Sequence, residues 1–305
     1  MPNTRRMMMA AAGAGGGSPL WYGGRGLFLG GDTVNTIDYI TIASTGNASD
    51  FGDLTGTRYY ISSCSGGGRG LTGGGSGYGD GNEIDYVTIA STGNATDFGD
   101  LTGYRSLGTA SASDGVRGLW MGADNGWTGS NIIDYVTIAT TGNATDFGDL
   151  AGNIMASGAS NDATRAVRAG GATVFSGKDV MEYVTIQTTG NATDFGDLVS
   201  ARYGVVGLSG EARGVYSGAW NAGDNTAMDY ITIASTGNAT DFGNLTVGRS
   251  IAGSGSNLTR GVFGGGIVSG DSNVIDYITI ASTGNATDFG DLTDDRRGLS
   301  GLAGD

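Results

Sequence analysis

The stretch IDYVTIATTGNATDFGDL at residues 133–150 is the most informative part of the sequence, because near-identical copies of it occur six times along the chain. Successive copies begin 47, 49, 48, 47 and 47 residues apart. Each copy opens with an apolar residue, an acid and a tyrosine, and the openings lie at Ile37, Ile84, Ile133, Met181, Met228 and Ile275. A repeat of this length is typical of a supersecondary unit, so the 305-residue chain is predicted to be an array of such units.

The side chains within one repeat alternate in the way that β-strands require. In residues 134–139 tyrosine and threonine fall on one side and valine and isoleucine on the other, as a strand packed on both faces allows. The Thr-Gly-Asn-Ala that follows is turn chemistry, and residues 145–150 are predicted as a short outer strand. With first and second strands predicted at residues 104–113 and 117–122, each repeat forms a sheet of four antiparallel strands.

A sheet this small cannot bury both of its faces, so the repeats must stack around an axis. We therefore predict an all-β fold, a six-bladed β-propeller. The first copy lacks a first strand, and residues 296–303 carry the pattern of one, so the C-terminal strand should join the N-terminal blade and close the ring. The predicted boundaries are an arm at residues 1–24 and a propeller at residues 25–305, with blades at 296–303 plus 25–54, 57–101, 104–150, 153–198, 202–245 and 249–292.

The repeats resemble those of kelch propellers. Residues 25–32, Arg-Gly-Leu-Phe-Leu-Gly-Gly-Asp, have the apolar run and the glycine doublet of a kelch second strand, and Tyr39 stands at the kelch tyrosine. Arg58 matches the arginine that opens a kelch first strand, whereas Phe51 stands where kelch repeats have tryptophan. The glycine doublet is altered in three other repeats. The resemblance implies a kelch-like propeller over residues 25–303 and says almost nothing of function.

Composition argues against several classes of function. The chain has no histidine, which removes the commonest general base, metal ligand and pH-sensitive group. Its single cysteine, Cys64, cannot form an internal disulfide. A formal net charge of −14 opposes binding to nucleic acid, and no apolar run reaches the roughly 18 residues of a membrane-spanning helix. We therefore predict a non-enzymatic protein with no cofactor, no metal, no nucleic-acid partner and no membrane span.

Charged and aromatic residues of the repeat are predicted to hold the blades together. Two rings of ion pairs are expected: Arg58, Arg105, Arg202 and Arg249 with Asp85, Asp134, Asp229 and Asp276, and, at the opposite end of the blades, Arg69 and Arg117 with Asp97 and Asp146. The phenylalanine of each Asp-Phe-Gly is interpreted as a wedge buried between blades. A structural role is thus assigned to Asp38, Asp85, Asp134, Glu182, Asp229 and Asp276 and to Phe51, Phe98, Phe147, Phe195, Phe242 and Phe289.

Three repeated motifs also match known sites. Asp-Phe-Gly matches the magnesium-binding triplet of protein kinases, but the chain has no His-Arg-Asp loop and only one lysine. Asn-Ala-Ser/Thr matches the N-glycosylation acceptor, and one turn copied six times explains it as well. Asp97 and Asp100 are spaced unlike any calcium loop, which favours a structural role for these acids.

The repeats differ most in the loops between the second and third strands, which emerge on one face. These loops carry Tyr78, Trp127 and Trp220. Aromatic and charged groups on loops held by a rigid scaffold are the usual arrangement for recognition, with covering of the blade ends as the alternative role of the rings. The candidate binding face also includes the arginines Arg58, Arg105, Arg202 and Arg249.

Uniform kelch-like repeats with Thr-Gly-Asn-Ala-Thr-Asp-Phe-Gly-Asp-Leu are similar to phage-encoded virion proteins of tails or capsids. The resemblance implies a structural or adhesion module located in the virion. It would bind other virion proteins through the arm at residues 1–24 and a host-surface glycan through the loops. A secreted, extracellular sugar-binding lectin is the first alternative, and a propeller-type hydrolase is the second. The arginine pair at residues 5–6 also resembles an export signal, although the apolar stretch behind it soon gives way to glycines.

Overall fold

The computed structural model describes residues 22–305 except Thr33, Tyr78, Asp80, residues 124–127, Phe175, residues 221–225 and Val268. Within this part of the chain the regular structure consists of 25 strands and includes no helix. Accordingly, the described residues contain no helix with the length and apolarity needed to cross a bilayer. The strands form six separate sheets arranged as the blades of a β-propeller, which confirms the predicted fold class.

The strands are numbered in chain order, and each blade is given from its innermost strand outwards. Blade 1 contains β25 (Ser300–Gly304), β1 (Arg25–Leu29), β2 (Thr36–Thr41) and β3 (Ser49–Asp53), and blade 2 contains β4 (Ser62–Gly66), β5 (Arg69–Gly73), β6 (Glu83–Thr88) and β7 (Thr96–Asp100). Blade 3 contains β8 (Ala110–Ser113), β9 (Arg117–Met121), β10 (Ser130–Thr137) and β11 (Thr145–Ile154). Blade 4 contains β12 (Gly158–Asn161), β13 (Arg165–Ala169), β15 (Ser176–Thr185) and β16 (Thr193–Arg202), with the extra strand β14 (Ala172–Thr173) beside β15. Blade 5 contains β17 (Val206–Ser209), β18 (Arg213–Ser217), β19 (Ala227–Thr232) and β20 (Thr240–Asn244), and blade 6 contains β21 (Gly253–Ser256), β22 (Arg260–Gly264), β23 (Ser272–Thr279) and β24 (Thr287–Arg296).

The two ends of the chain close the ring in blade 1. Strand β25 pairs antiparallel with β1, so that Arg25 lies opposite Gly304 and Leu29 lies opposite Ser300. This pairing gives blade 1 the inner strand that its N-terminal residues lack and leaves neither edge of β1 unpaired. The predicted closure by the C-terminal strand is confirmed.

The inner strands are shorter than the sequence predicts. In blade 3 the first strand, predicted at residues 104–113, is limited to β8 (Ala110–Ser113), because the residues before it form the crossover from the preceding blade. Leu107 in this crossover has a φ of 49°, which a strand cannot accommodate. The outer strand β11 is longer than predicted and ends at Ile154.

The hydrophobic core lies between neighbouring blades. Phe51 and Leu27 of blade 1, for example, pack with Val87 and Ile89 of blade 2 in one buried cluster. Phe51 is 2 % exposed and meets Tyr39 edge to face, with the ring centroids 6.1 Å apart. The other five repeated phenylalanines are buried against the following blade in the same way, so all six act as the predicted wedges between blades. Burying one such ring contributes about 1.5–3 kcal/mol.

The Thr-Gly-Asn-Ala turn of each blade clasps the outer strand of the blade before it. Between blades 1 and 2, Gly93 N–H donates to Phe51 O at 2.8 Å and Ala95 N–H donates to Asp53 O at 2.7 Å. The Asn94 side-chain oxygen accepts from Asp53 N–H at 3.1 Å. A Cβ on Gly52 would lie 2.5 Å from the Gly93 oxygen, so this glycine is required by the close approach. The repeated motif therefore supplies both sides of the contact between blades, the turn from one copy and the outer strand from the copy before it.

Candidate functional site

The crossovers between blades and the loops between second and third strands lie on one face, which we name the loop face. Gly31 N–H, in such a loop, donates to the crossover carbonyl of Arg58 at 3.0 Å. Ser76, in the corresponding loop of blade 2, forms an isolated bridge with Tyr59 of the crossover. The Thr-Gly-Asn-Ala turns lie on the opposite face, the turn face.

The arginines of the crossovers are buried under the loop face and bind the acids of the third strands. Arg58 Nη2 lies 2.5 Å from Asp85 Oδ2, and both side chains are at most 1 % exposed. The four predicted pairs are confirmed, and two further pairs complete the ring, so that the six are Arg58–Asp85, Arg105–Asp134, Arg168–Glu182, Arg202–Asp229, Arg249–Asp276 and Arg296–Asp38.

Each of these acids also binds the preceding blade. Asp85 accepts hydrogen bonds from the N–H and the hydroxyl of Thr55, which follows the outer strand of blade 1. Burial raises the pKa of Asp229 above its ordinary value and lowers the pKa of its partner Arg202. Burial disfavours the charged form of each group, and the attraction between the two charges offsets part of that cost.

The prediction that these arginines face a ligand needs correction. Arg58, Arg105, Arg202 and Arg249 are all 2 % exposed or less, and their donors are directed to carboxylates and strand carbonyls. A guanidinium that neutralises a buried carboxylate cannot leave it for a ligand without a large cost. The loop face is thus built over these arginines and does not present them.

The second predicted ring of ion pairs is wrong. Arg69 lies over the ring of Tyr86, 4.8 Å from its centroid, and donates to Ala139 O of the next blade at 3.0 Å. Asp97 lies opposite Asp85 instead, because the register shifts between Ile84 and Asp85. The same arrangement holds in every blade, with Arg25, Arg69, Arg117, Arg165, Arg213 and Arg260 over Tyr39, Tyr86, Tyr135, Tyr183, Tyr230 and Tyr277.

Of the predicted aromatic residues, Trp220 is placed on the loop face, whereas Tyr78 and Trp127 lie outside the described residues. Trp220 is 41 % exposed and stacks on Tyr203, with the ring centroids 5.8 Å apart and the planes 28° from parallel. Trp220 N–H donates to Tyr203 O at 2.7 Å, which holds the two rings together. Sequence reasoning missed Tyr203, although it directly follows Arg202.

The stack borders the mouth of the central channel, where six equivalent crossover residues form a ring. They are Tyr60, Leu107, Ala156, Gly204, Ile251 and Gly298, with φ values of 58°, 49°, 54°, 73°, 47° and 65°. This left-handed conformation costs a non-glycine residue about 1–2 kcal/mol. In five of these residues the N–H donates to the carbonyl of the ring residue before it, as where Gly298 N–H donates to Ile251 O at 3.0 Å and Ile251 N–H donates to Gly204 O at 3.1 Å.

No protein-family model matches the chain, and a search of the curated proteins finds no match.

A second cluster on the mouth lies across blades 6, 1 and 2. Arg297 Nη2 lies 2.8 Å from Asp32 Oδ2, and Arg297 Nη1 lies 3.5 Å from Asp271 Oδ1. All three side chains are partly exposed, at 26–40 %. Tyr60 and Tyr59 lie beside them in edge-to-face contact, 4.9 Å between centroids, and burial raises the pKa of Tyr60 despite the neighbouring guanidinium.

Below the mouth the inner strands enclose a channel of about 140 Å³. None of the described residues that line it carries a charge, and serines are frequent among them. Many of these hydroxyls already join neighbouring inner strands, as where Ser111 Oγ donates to Ser63 O at 2.8 Å and Ser65 Oγ donates to Ala303 O at 2.7 Å. The channel serines are therefore another set of links between blades.

The arrangement is suited to non-covalent recognition. The described residues contain no group of three or more histidine, cysteine or acidic side chains placed to hold a metal. Cys64 lines the channel but is buried, and burial raises its pKa to about 12, which keeps the thiol unreactive at neutral pH. The mouth thus offers aromatic rings and carboxylate acceptors on a stiff ring.

Proposed function

We propose that this chain is a non-enzymatic adhesion module that binds a host-surface glycan at the mouth of its loop face. The observation that carries the proposal is the exposed stack of Tyr203 and Trp220 beside the mouth. Aromatic rings pack against the apolar faces of sugars, and a partly exposed tryptophan with a fixed orientation loses little entropy on binding.

The rigidity of the ring supports the same function. Every blade is tied to its neighbour by the turn-face clasp, the buried ion pair and the channel-mouth hydrogen bonds. A scaffold fixed in this way holds the mouth residues in place before the ligand arrives. The resemblance of the repeats to phage virion proteins supports a location in a phage particle, with the arm at residues 1–24 as the contact with other virion proteins.

The two alternatives differ from this proposal in observable ways. A secreted lectin would bind glycans through the same face but would not occur on purified particles. A propeller-type hydrolase needs convergent carboxylates, and the acids of the mouth, Asp32 and Asp271, both bind Arg297. We therefore rank the hydrolase below both binding functions.

The test is attachment of particles or purified protein to host cells after Trp220→Ala. Loss of an exposed aromatic anchor should weaken attachment by about 2 kcal/mol, or roughly thirtyfold in affinity. Val116→Ala is the matched control, because Val116 is 46 % exposed but lies in a turn on the opposite face. Unchanged attachment of the Trp220→Ala protein would refute the adhesive role of this face, and absence of the chain from purified particles would refute the virion location.

A further inference from the structure

The charges around the mouth restrict the class of ligand. The described part of the chain has 13 arginines, of which six are in the buried ion pairs and six lie over tyrosine rings. The remaining one, Arg297, lies between the carboxylates of Asp32 and Asp271. Among the described residues, the one arginine at the mouth is therefore outnumbered by acids, and the formal net charge of the whole chain is −14.

The hydrogen-bonding groups of the mouth point to the same class. Asp32 uses Oδ2 for Arg297, and Asp271 uses Oδ1, so the other oxygen of each carboxylate has no partner among the described protein atoms. A carboxylate oxygen accepts hydrogen bonds and donates none. A ligand with several hydroxyl groups can donate to both acids, whereas a carboxylate ligand would meet two like charges.

The aromatic and polar parts of the mouth follow one another around the ring. Trp220 lies close to Gly204, since a Cβ added to Gly204 would be 3.6 Å from the Cβ of Trp220. Gly204 is joined through Ile251 to Gly298, the residue that follows Arg297. An apolar platform and a pair of hydroxyl acceptors thus border the same opening.

We infer that the mouth selects an uncharged, hydroxyl-rich ligand, the neutral terminal sugar of a glycan, and discriminates against sugars that carry a carboxylate. The Tyr203–Trp220 stack takes the apolar face of a sugar ring of the glycan, and Asp32 and Asp271 accept from hydroxyls of the glycan. Arg297 holds the two carboxylates in place and is itself screened from anions. This inference rests on the proposed glycan-binding function and names its ligand class.

The test compares neutral sugars with acidic counterparts on the intact protein. The probes are N-acetyllactosamine against 3′-sialyl-N-acetyllactosamine, and maltotriose against trigalacturonic acid, measured by saturation-transfer NMR and calorimetry. At least one neutral probe should bind, with an affinity that hardly changes between 0.05 and 0.5 M salt, as screening affects only charged partners. The acidic counterpart should bind at least about tenfold more weakly.

The double variant Asp32→Asn, Asp271→Asn tests the origin of the discrimination. Removal of both charges leaves Arg297 free to bind an anion, so the preference between acidic and neutral probes should shift by at least about tenfold towards the acidic one. The matched control is Glu211→Gln, Asp146→Asn, which changes the net charge equally at two exposed acids on the turn face. This control should keep the preference of the parent protein.

Each result bears on one of the two proposals. Equal or tighter binding of the acidic probes by the parent protein overturns the inference, and the adhesive function survives if Trp220→Ala still abolishes that binding. Binding of neither class also overturns the inference, and the attachment assay with Trp220→Ala then decides the adhesive function separately. An equal shift in preference in both double variants would assign the discrimination to net charge and overturn the role of Asp32 and Asp271.

Discussion

Replacing Arg168 with methionine, which keeps the side chain long and removes its charge, should destabilise the propeller strongly. Arg168 is 2 % exposed and donates to the carboxylate of Glu182 and to Gly170 O. Without it Glu182, 5 % exposed, keeps only the N–H of Ala151 as a donor, at 2.7 Å. Removing one partner of a buried ion pair costs about 3–5 kcal/mol, because the other charge stays buried without compensation.

A second substitution separates loss of the pair from disturbed packing. Blade 4 alone has its arginine on the second strand, whereas the other blades have it in the crossover, at the place that Ile154 occupies in blade 4. Adding Ile154→Arg to Arg168→Met returns the guanidinium to that place and should recover at least half of the lost stability. Ile154→Arg alone should destabilise, because two guanidiniums then share the single carboxylate of Glu182.

The measurement is thermal and urea unfolding followed by far-UV circular dichroism. At roughly 2–4 °C per kcal/mol, the Arg168→Met protein should melt about 6–20 °C below the parent. Arg202→Met, which breaks the equivalent pair of blade 5, should cause a loss of the same size. A loss below about 1 kcal/mol for Arg168→Met, or no recovery with Ile154→Arg, would refute the relocated ion pair as the reason for these residues.

Three further outcomes are expected. Gly52→Ala should lower the free energy of unfolding by at least about 3 kcal/mol, because the new Cβ would lie 2.5 Å from the Gly93 oxygen. Gly46→Ala is the control and should cost far less, because Gly46 has a similar φ of 154° and a Cβ there would meet no atom within 4 Å. Equal melting temperatures of the two variants would contradict the contact between turn and outer strand. Deleting residues 296–305 removes β25 and should cause unfolding or aggregation, and a monomer with unchanged stability would contradict the closure. Native Cys64 should not react with a thiol reagent at pH 8, since burial raises its pKa to about 12. The pKa of the folded thiol lies above the ordinary value of 9.0, so the stability contributed by the buried neutral thiol is complete below pH 9.0 and is lost as the pH rises through about 12. Rapid labelling of the native thiol would contradict its burial.

The sequence predicted the fold well because the repeat displays its periodicity six times. The four-stranded blade, the closure by residues 296–303 and the pair of Arg58 with Asp85 all follow from aligning the copies. The Arg168 pair could not be found in this way. Its guanidinium lies in a different strand from those of the other blades, and a comparison of equivalent positions shows only the isoleucine at residue 154.

The candidate site was predicted less well, because a register shift and burial both alter what the sequence suggests. The shift between Ile84 and Asp85 places Asp97 opposite Asp85, which breaks the expected contact with Arg69. The crossover arginines belong to segments that form the loop face, but their side chains lie beneath it, where they bind the buried acids of the third strands. Neither effect leaves a signal in residue spacing.

In five of the six crossovers a buried arginine lies two positions before the residue that forms the mouth ring. Gly204 after Arg202 has the left-handed conformation of this ring, and Ala156 has it too, in the crossover where Ile154 takes the place of the arginine. The residue before this ring position is one of those at which the repeats differ in size and charge: Tyr59, Ser106, Met155, Tyr203, Ser250 and Arg297. The three largest of these are partly exposed at the mouth, and the other three are buried. This position therefore varies between repeats that keep the same joints between blades, and a change there alters the chemistry of the mouth while the ring that holds it remains the same.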